Sequence, residues 1–234
     1  MPYRARLAKI GSPQNIGRRA ACRAIFLSAV YLAGKAYAIE DTQTARSYFL
    51  LPGNFDIDSL KVDQPPSDDM AEARVVLAMQ SQRTAVQIAQ IKAQAIDPLP
   101  LFWQCAGLNE ASHPEHARRI QEAVVDTEHV VTALKRRFNR PRPSVILPDI
   151  HTVVPVPLHA SYPSGHATQS VVIATLMSTM APKAAKRLQE FAIKVGRNRE
   201  MAGLHYPSDT DAGFKLGHDL SEIFGKRPAF LGSP

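Results

Sequence analysis

Apolar residues along this chain recur at helical spacing and nowhere in sustained alternation. Over residues 68–96, Val75, Val76, Met79, Ala85, Val86, Ile88, Ala89 and Ile91 follow an acidic front, which predicts one long amphipathic helix. Asp97-Pro98-Leu99-Pro100 ends it, and residues 99–106 form a short apolar piece carrying the only tryptophan, Trp103. Ser112, Pro114 and Glu115 open a further helix that Ile120, Val124, Val131 and Leu134 carry to about residue 137. Prolines at 141, 143, 148 and 155 exclude regular helix over residues 139–156, a loop of a length that usually serves function. Three helices complete the pattern: 165–180, 182–201 and 207–224. The expectation is an all-α, single-domain helical bundle over residues 68–234. It is preceded by an extended arm, 39–67, whose one apolar cluster is Tyr48-Phe49-Leu50-Leu51-Pro52.

The first 38 residues change the reading of composition. They hold seven Lys or Arg and no Asp or Glu, then an apolar run from Ala24 to Gly34, then Ala36-Tyr37-Ala38. This is the pattern of a secretory signal peptide cut after Ala38, and it predicts a periplasmic or secreted protein. The apolar run is short for a membrane span and Lys35 interrupts it, so stable membrane insertion is not expected. Removing the segment leaves 21 basic residues against 21 acidic ones. The pI near 9.6 then belongs to the leader and gives no footprint of nucleic-acid binding. Cys105 would be the only cysteine left, so no intramolecular disulfide can form and the core alone must hold the fold. A homo-oligomer is compatible with this composition.

Candidate chemistry concentrates in three segments. In residues 199–211, Pro207 suits a first helical turn, which puts His205 in a corner between two helices and Asp209 close enough to hold one of its ring nitrogens. Asp209 and Asp211 could equally serve only to complement a helix N-terminus. Lys135 near a helix end and Arg142 between two prolines can converge as cations from different elements, although Arg136, Arg137 and Arg140 make the whole neighbourhood basic. Pro163-Ser164-Gly165-His166 places an N-cap serine, a glycine open to close approach and a titratable imidazole at the start of an apolar helix. His113, His116 and His129 lack the spacing of a closed zinc site and are read as surface or cap residues.

The order Lys-x6-Arg-Pro, Pro-Ser-Gly-His, Arg-x5-His-x3-Asp resembles the signature of the type 2 phosphatidic acid phosphatase superfamily. The leader, the arm and the Asp211-Ala212-Gly213 continuation look most like its bacterial class A non-specific acid phosphatases. The resemblance implies an all-α bundle and hydrolysis of small phosphate monoesters through a phosphohistidine, with no metal or other cofactor. His205 would be the nucleophile, Asp209 its orienting carboxylate and His166 the leaving-group acid. Lys135, Arg142, Ser164, Gly165 and Arg199 would hold the phosphoryl oxygens. Asn198 stands where the family commonly has serine, and its amide is a candidate phosphate contact.

Within the family, the alternatives are a vanadium-dependent haloperoxidase, with vanadate as cofactor rather than inhibitor, and a soluble lipid-headgroup or pyrophosphate phosphatase. From a different class, a non-catalytic phosphate-binding protein would need the cations but neither histidine.

Overall fold

The computed structural model describes residues 48–226; the leader and its cleavage site lie outside the described residues. Among the described residues eight α-helices follow one another: α1 Asp69–Gln80, α2 Ala85–Ala93, α3 Leu99–Ala106, α4 Pro114–Phe138, the single turn α5 Pro143–Ile146, α6 Gly165–Met180, α7 Ala185–Met201 and α8 Pro207–Gly225. The fold is all-α, and the described residues contain no strand. No helix among them is long and apolar enough to cross a membrane.

The helix expected over residues 68–96 is two helices. Thr84 starts the second with a reciprocal cap, its Oγ1 accepting the Gln87 amide at 3.2 Å while Gln87 Oε1 accepts the Thr84 amide at 2.9 Å. Just before it, Arg83 donates to the carbonyls of Met201 and His151, both at 2.6 Å, which ties the break to the far end of α7. Continuous apolar spacing did not reveal a local cap strong enough to restart the helix. The break separates two packing tasks. On α1, Ala73 and Val76 pack with Ile150 and Tyr206, while Ile91 of α2 packs with Ala202 and Leu204. The two helices therefore pack on residues that flank His205 in the chain, Tyr206 for α1 and Ala202 and Leu204 for α2.

Smaller departures have similar causes. Pro182 opens a 3-10 turn, Pro182–Ala184, ahead of α7, and the proline-rich loop contains the turn α5 because Pro143 suits a first helical position. Residues 48–51 lie against α4, where the buried carboxylate of Asp126 accepts the amides of Phe49, Leu50 and Leu51 at 2.8–2.9 Å.

Helix α6 is buried on nearly all sides, through Ala167, Val171, Val172, Ile173, Ala174, Leu176 and Met177. It is the axis against which α4, α7 and α8 pack. Helix α8 comes close to it because Gly213 and Gly217 face the carbonyls of Ser164 and Thr168, where a Cβ would lie only 2.6 and 2.7 Å away. That approach brings the N-terminus of α6 beside the first turn of α8, and the Ser164 amide donates to the Asp209 carbonyl at 2.9 Å.

Candidate active site

The corner between α7 and α8 is fixed by backbone geometry. Gly203 adopts φ +80°, its amide donates to the Glu200 carbonyl at 2.8 Å, and the Leu204 amide reaches back to the Arg199 carbonyl at 3.1 Å. This is the Schellman pattern, which suits glycine because the left-handed conformation costs it no Cβ clash. Two residues on, His205 is 4 % exposed and Pro207 starts α8. Asp209, fully buried one turn into α8, accepts both the Tyr206 amide at 3.1 Å and His205 Nδ1 at 3.0 Å through Oδ2.

The other ring nitrogen, Nε2, lies 3.1 Å from Arg142 Nη1. A guanidinium can only donate, so Nε2 carries the lone pair and Nδ1 carries the proton held by Asp209. Burial, then the charges of Arg142, Lys135 and Arg199, hold the imidazole well below its ordinary pKa. The outcome is a neutral ring with its free electron pair turned toward the cations.

Those cations come from three elements. Lys135, in the last turn of α4, donates to the carbonyls of Ala160 at 2.9 Å and Ser161 at 2.7 Å; burial and Arg142 lower its pKa to about 7, against the pull of Asp209 and Glu128. Arg142 donates to the Leu204 carbonyl at 2.8 Å and to His159 Nδ1 at 3.1 Å, and burial lowers it to about 10. Arg199, on the last turn of α7, is 1 % exposed and is lowered to about 10 by burial and by Arg142. Its Nε and Nη1 are buried without a protein partner, as is His166 Nε2.

Ser164 and the first turn of α6 complete the set. Ser164 caps only loosely, the Ala167 amide lying 3.5 Å from Oγ, and the amides of Gly165 and His166 are first-turn donors that no helical carbonyl can satisfy. Burial, then Arg199, lowers His166 to about 3, with hydrogen bonding to the backbone of Gln94 and Ala95 acting in the opposite direction. A curved surface of cations and amide donors around a neutral imidazole can bind a tetrahedral oxyanion and present Nε2 to its central atom.

Asn198 is turned elsewhere. Its Nδ2 donates to the buried Gln94 Oε1 at 2.8 Å, an arrangement invisible in sequence because the partner lies on a distant segment. Sequence reasoning also passed over His159, which braces Arg142, and Arg140, which it counted as part of a basic run. Arg140 Nη1 donates to Asp209 Oδ1 at 2.7 Å. The signal for it was the alternation Arg140-Pro141-Arg142-Pro143: an extended segment points residues i and i+2 the same way along one face but staggered along the chain, so the two arginines reach the two ends of the His205–Asp209 pair.

Comparisons with known proteins point to the same segment of the chain. Residues 122–219, which hold every motif residue from Lys135 to Asp209, match the model of the PAP2 superfamily. Over that segment the chain is similar to the superfamily. It is 30% identical over 118 residues to a non-specific acid phosphatase of Salmonella typhi, covering 48% of this chain and 47% of the relative. It is 33% identical over 96 residues to a decaprenylphosphoryl-5-phosphoribose phosphatase of Mycobacterium tuberculosis H37Rv, covering 40% and 51%. The match thus spans about half the length of these curated relatives. Among solved structures, the fold resembles a bacterial vanadium-dependent iodoperoxidase with TM-score 0.62 at 16% identity, covering 72% of this chain and 52% of that one. It also resembles a transmembrane PAP2-type phosphatidylglycerolphosphate phosphatase from Bacillus subtilis, with TM-score 0.52 at 17% identity, covering 72% and 90%.

Proposed function

We propose that this protein is an exported phosphatase that hydrolyses phosphate monoesters through a phosphohistidine, without a metal ion. The observation that carries the reading is the pairing of a buried, neutral His205, its Nε2 lone pair turned toward the cations, with an Arg199 guanidinium that has unpartnered donors in the same cradle. An unpaired buried cation is costly, and an oxyanion would relieve that cost where the nucleophile waits.

In the first step Arg142 transfers its donation from Nε2 to a phosphoryl oxygen. Nε2 then attacks phosphorus, the bond from phosphorus to the leaving oxygen breaks, and His166 relays to that oxygen the proton that the ester monoanion brings. The ring gains positive charge, which Asp209 balances through Nδ1–H. In the second step His166 takes a proton from water, the resulting hydroxide attacks phosphorus, and the N–P bond breaks to release inorganic phosphate. Lys135, Arg142, Arg199 and the amides of Gly165 and His166 stabilise the equatorial oxygens in both steps. These side chains supply the charge neutralisation that a metal would otherwise provide.

The haloperoxidase reading is the second one, favoured by the iodoperoxidase fold likeness. The donor set fits vanadate as well as phosphate, with His205 Nε2 as its ligand. Vanadate would then supply the activation of peroxide for halide oxidation. One panel separates the readings: phosphate esters against bromide or iodide with peroxide, each with and without vanadate and chelator. Ester hydrolysis that survives chelation and falls with vanadate supports the phosphatase. Halide oxidation that requires vanadate, without ester hydrolysis, overturns it. Export is tested by intact mass of the secreted protein, where a first residue of Ile39 is expected.

A further inference from the structure

Arg140 lies outside the phosphate cradle and has no part in the reaction derived above. Its side chain is 2 % exposed, yet its donors are well occupied: Nε to Asp69 Oδ1 at 2.8 Å, Nη2 to Glu72 Oε2 at 2.6 Å, and Nη1 to Ser208 Oγ and Asp209 Oδ1, each at 2.7 Å. Its plane rests on the Tyr206 ring, 4.0 Å from the centroid. Glu72 holds the same corner a second time, accepting the Ser208 amide at 3.0 Å and its hydroxyl at 2.6 Å.

Asp209 thus divides its two oxygens. Oδ2 faces the Tyr206 amide and His205 Nδ1, while Oδ1 faces Arg140. A carboxylate free to turn could offer either oxygen to the imidazole or accept a proton itself. With Oδ1 pinned by a cation, only Oδ2 remains for Nδ1–H, and the charge of Arg140 opposes the rise that burial imposes on the Asp209 pKa.

We propose that Arg140 is a positioning residue acting through Asp209: it fixes the His205 tautomer with Nε2 unprotonated, and Asp69 and Glu72 make helix α1 part of that apparatus. The inference rests on the phosphatase reading for its kinetic consequence but not for its structural one. Lysine cannot replace the fork, because a point charge cannot span Asp69, Glu72 and Asp209 together.

The test compares wild type with Arg140→Gln, Arg140→Lys and Glu72→Gln, using the full chain with ¹⁵N-labelled histidine. Ring-nitrogen shifts report the His205 tautomer without any turnover. Wild type should show a single form protonated at Nδ1, Arg140→Gln a mixture, and Arg140→Lys and Glu72→Gln intermediate behaviour. On nitrophenyl phosphate, Arg140→Gln should lower kcat about 10- to 100-fold, as loss of an orienting outer partner does, with KM changed less than about threefold. If Arg140→Gln does not fold, Glu72→Gln decides, since it keeps the cation and loosens its anchor.

A wild-type tautomer signal and wild-type kcat in the folded variants, with only a lower Tm, overturns the proposal in favour of a plain structural ion pair. Absence of ester hydrolysis by wild type with every ester removes the phosphatase reading instead, and leaves the nitrogen shifts to judge Arg140.

Discussion

The two sides of the site treat buried charge in opposite ways. Behind His205, Arg140 meets Asp69, Glu72 and Asp209 and has four donor contacts within 2.8 Å. In front of it, Arg199 is equally buried, and its Nε and Nη1 are buried without a protein partner. A buried cation that is fully partnered stiffens what it touches; one left unpartnered keeps its interaction energy for a ligand. The back of the site is built to orient and the front to bind.

The largest effect should come from the residue that joins the halves. If His205 is the nucleophile proposed above, His205→Ala removes it, and turnover on every phosphate ester should fall about 10⁴-fold or more, whatever the leaving group. Acid-quench trapping should find no phosphoenzyme. Substantial phosphoenzyme in that variant would place the nucleophile elsewhere.

The contrast between the two arginines can be broken directly by the same substitution on each side. Arg140→Met leaves three carboxylates around an apolar chain and should lose about 3–5 kcal/mol of stability in urea unfolding. Arg199→Met removes a charge that nothing in the protein balances, so stability should hold or rise, while kcat falls about 10²- to 10³-fold as a transition-state donor is lost. Added inorganic phosphate or vanadate should raise the Tm of wild type and fail to raise that of Arg199→Met. Equal destabilisation by both substitutions would erase the distinction between orienting and binding sides.

His166 tests the front side through protons. Its pKa is depressed to about 3, chiefly by burial, so in the free protein the ring is neutral throughout the range where phosphate esters titrate. On the proposed mechanism, the proton it gives to the leaving oxygen then has to arrive with the substrate, as the ester monoanion. Since the second ionisation of a phosphate ester lies near pH 6, kcat/KM should decline as pH rises above about 6. His166→Ala should lose roughly 10²-fold in single-turnover phosphorylation by glycerol phosphate, and much less with nitrophenyl phosphate, whose leaving group needs little acid help. Equal losses on both esters would remove His166 from the role of leaving-group acid.

The chemistry of this site was more legible in the sequence than its support. Lys135, Arg142, Ser164, Gly165, Arg199, His205 and Asp209 converge because each sits at a helix end or a proline-set turn, and such punctuation is local and readable. Arg140 was not read, since four arginines and a lysine within eight residues look alike until the fold supplies Asp69 and Glu72 from about 70 residues away. The break between α1 and α2 was hidden by unbroken apolar spacing, although Thr84 and Gln87 carried a capping signature. The Asn198–Gln94 contact spans 104 residues and left no local trace.

That contact gives the smallest and most discriminating test. Serine is common at this position in the superfamily that the motifs resemble, so if Asn198 served the phosphate, Asn198→Ser should be nearly neutral in stability and alter KM. The structure points to a different result. Nδ2 of Asn198 satisfies Gln94 Oε1, and Gln94 is 2 % exposed on the segment whose backbone borders His166. A serine hydroxyl is too short to span the same gap, which leaves a buried amide oxygen unpaired at a cost of about 1–3 kcal/mol. Asn198→Ser should therefore lower stability by that amount and change kcat and KM on nitrophenyl phosphate by less than about threefold, because no cradle donor has been removed. Replacing both partners, Asn198→Leu with Gln94→Leu, should recover much of the lost stability, since an apolar pair leaves no orphaned polar atom. A rise in KM without loss of stability in Asn198→Ser would return Asn198 to the binding side of the comparison.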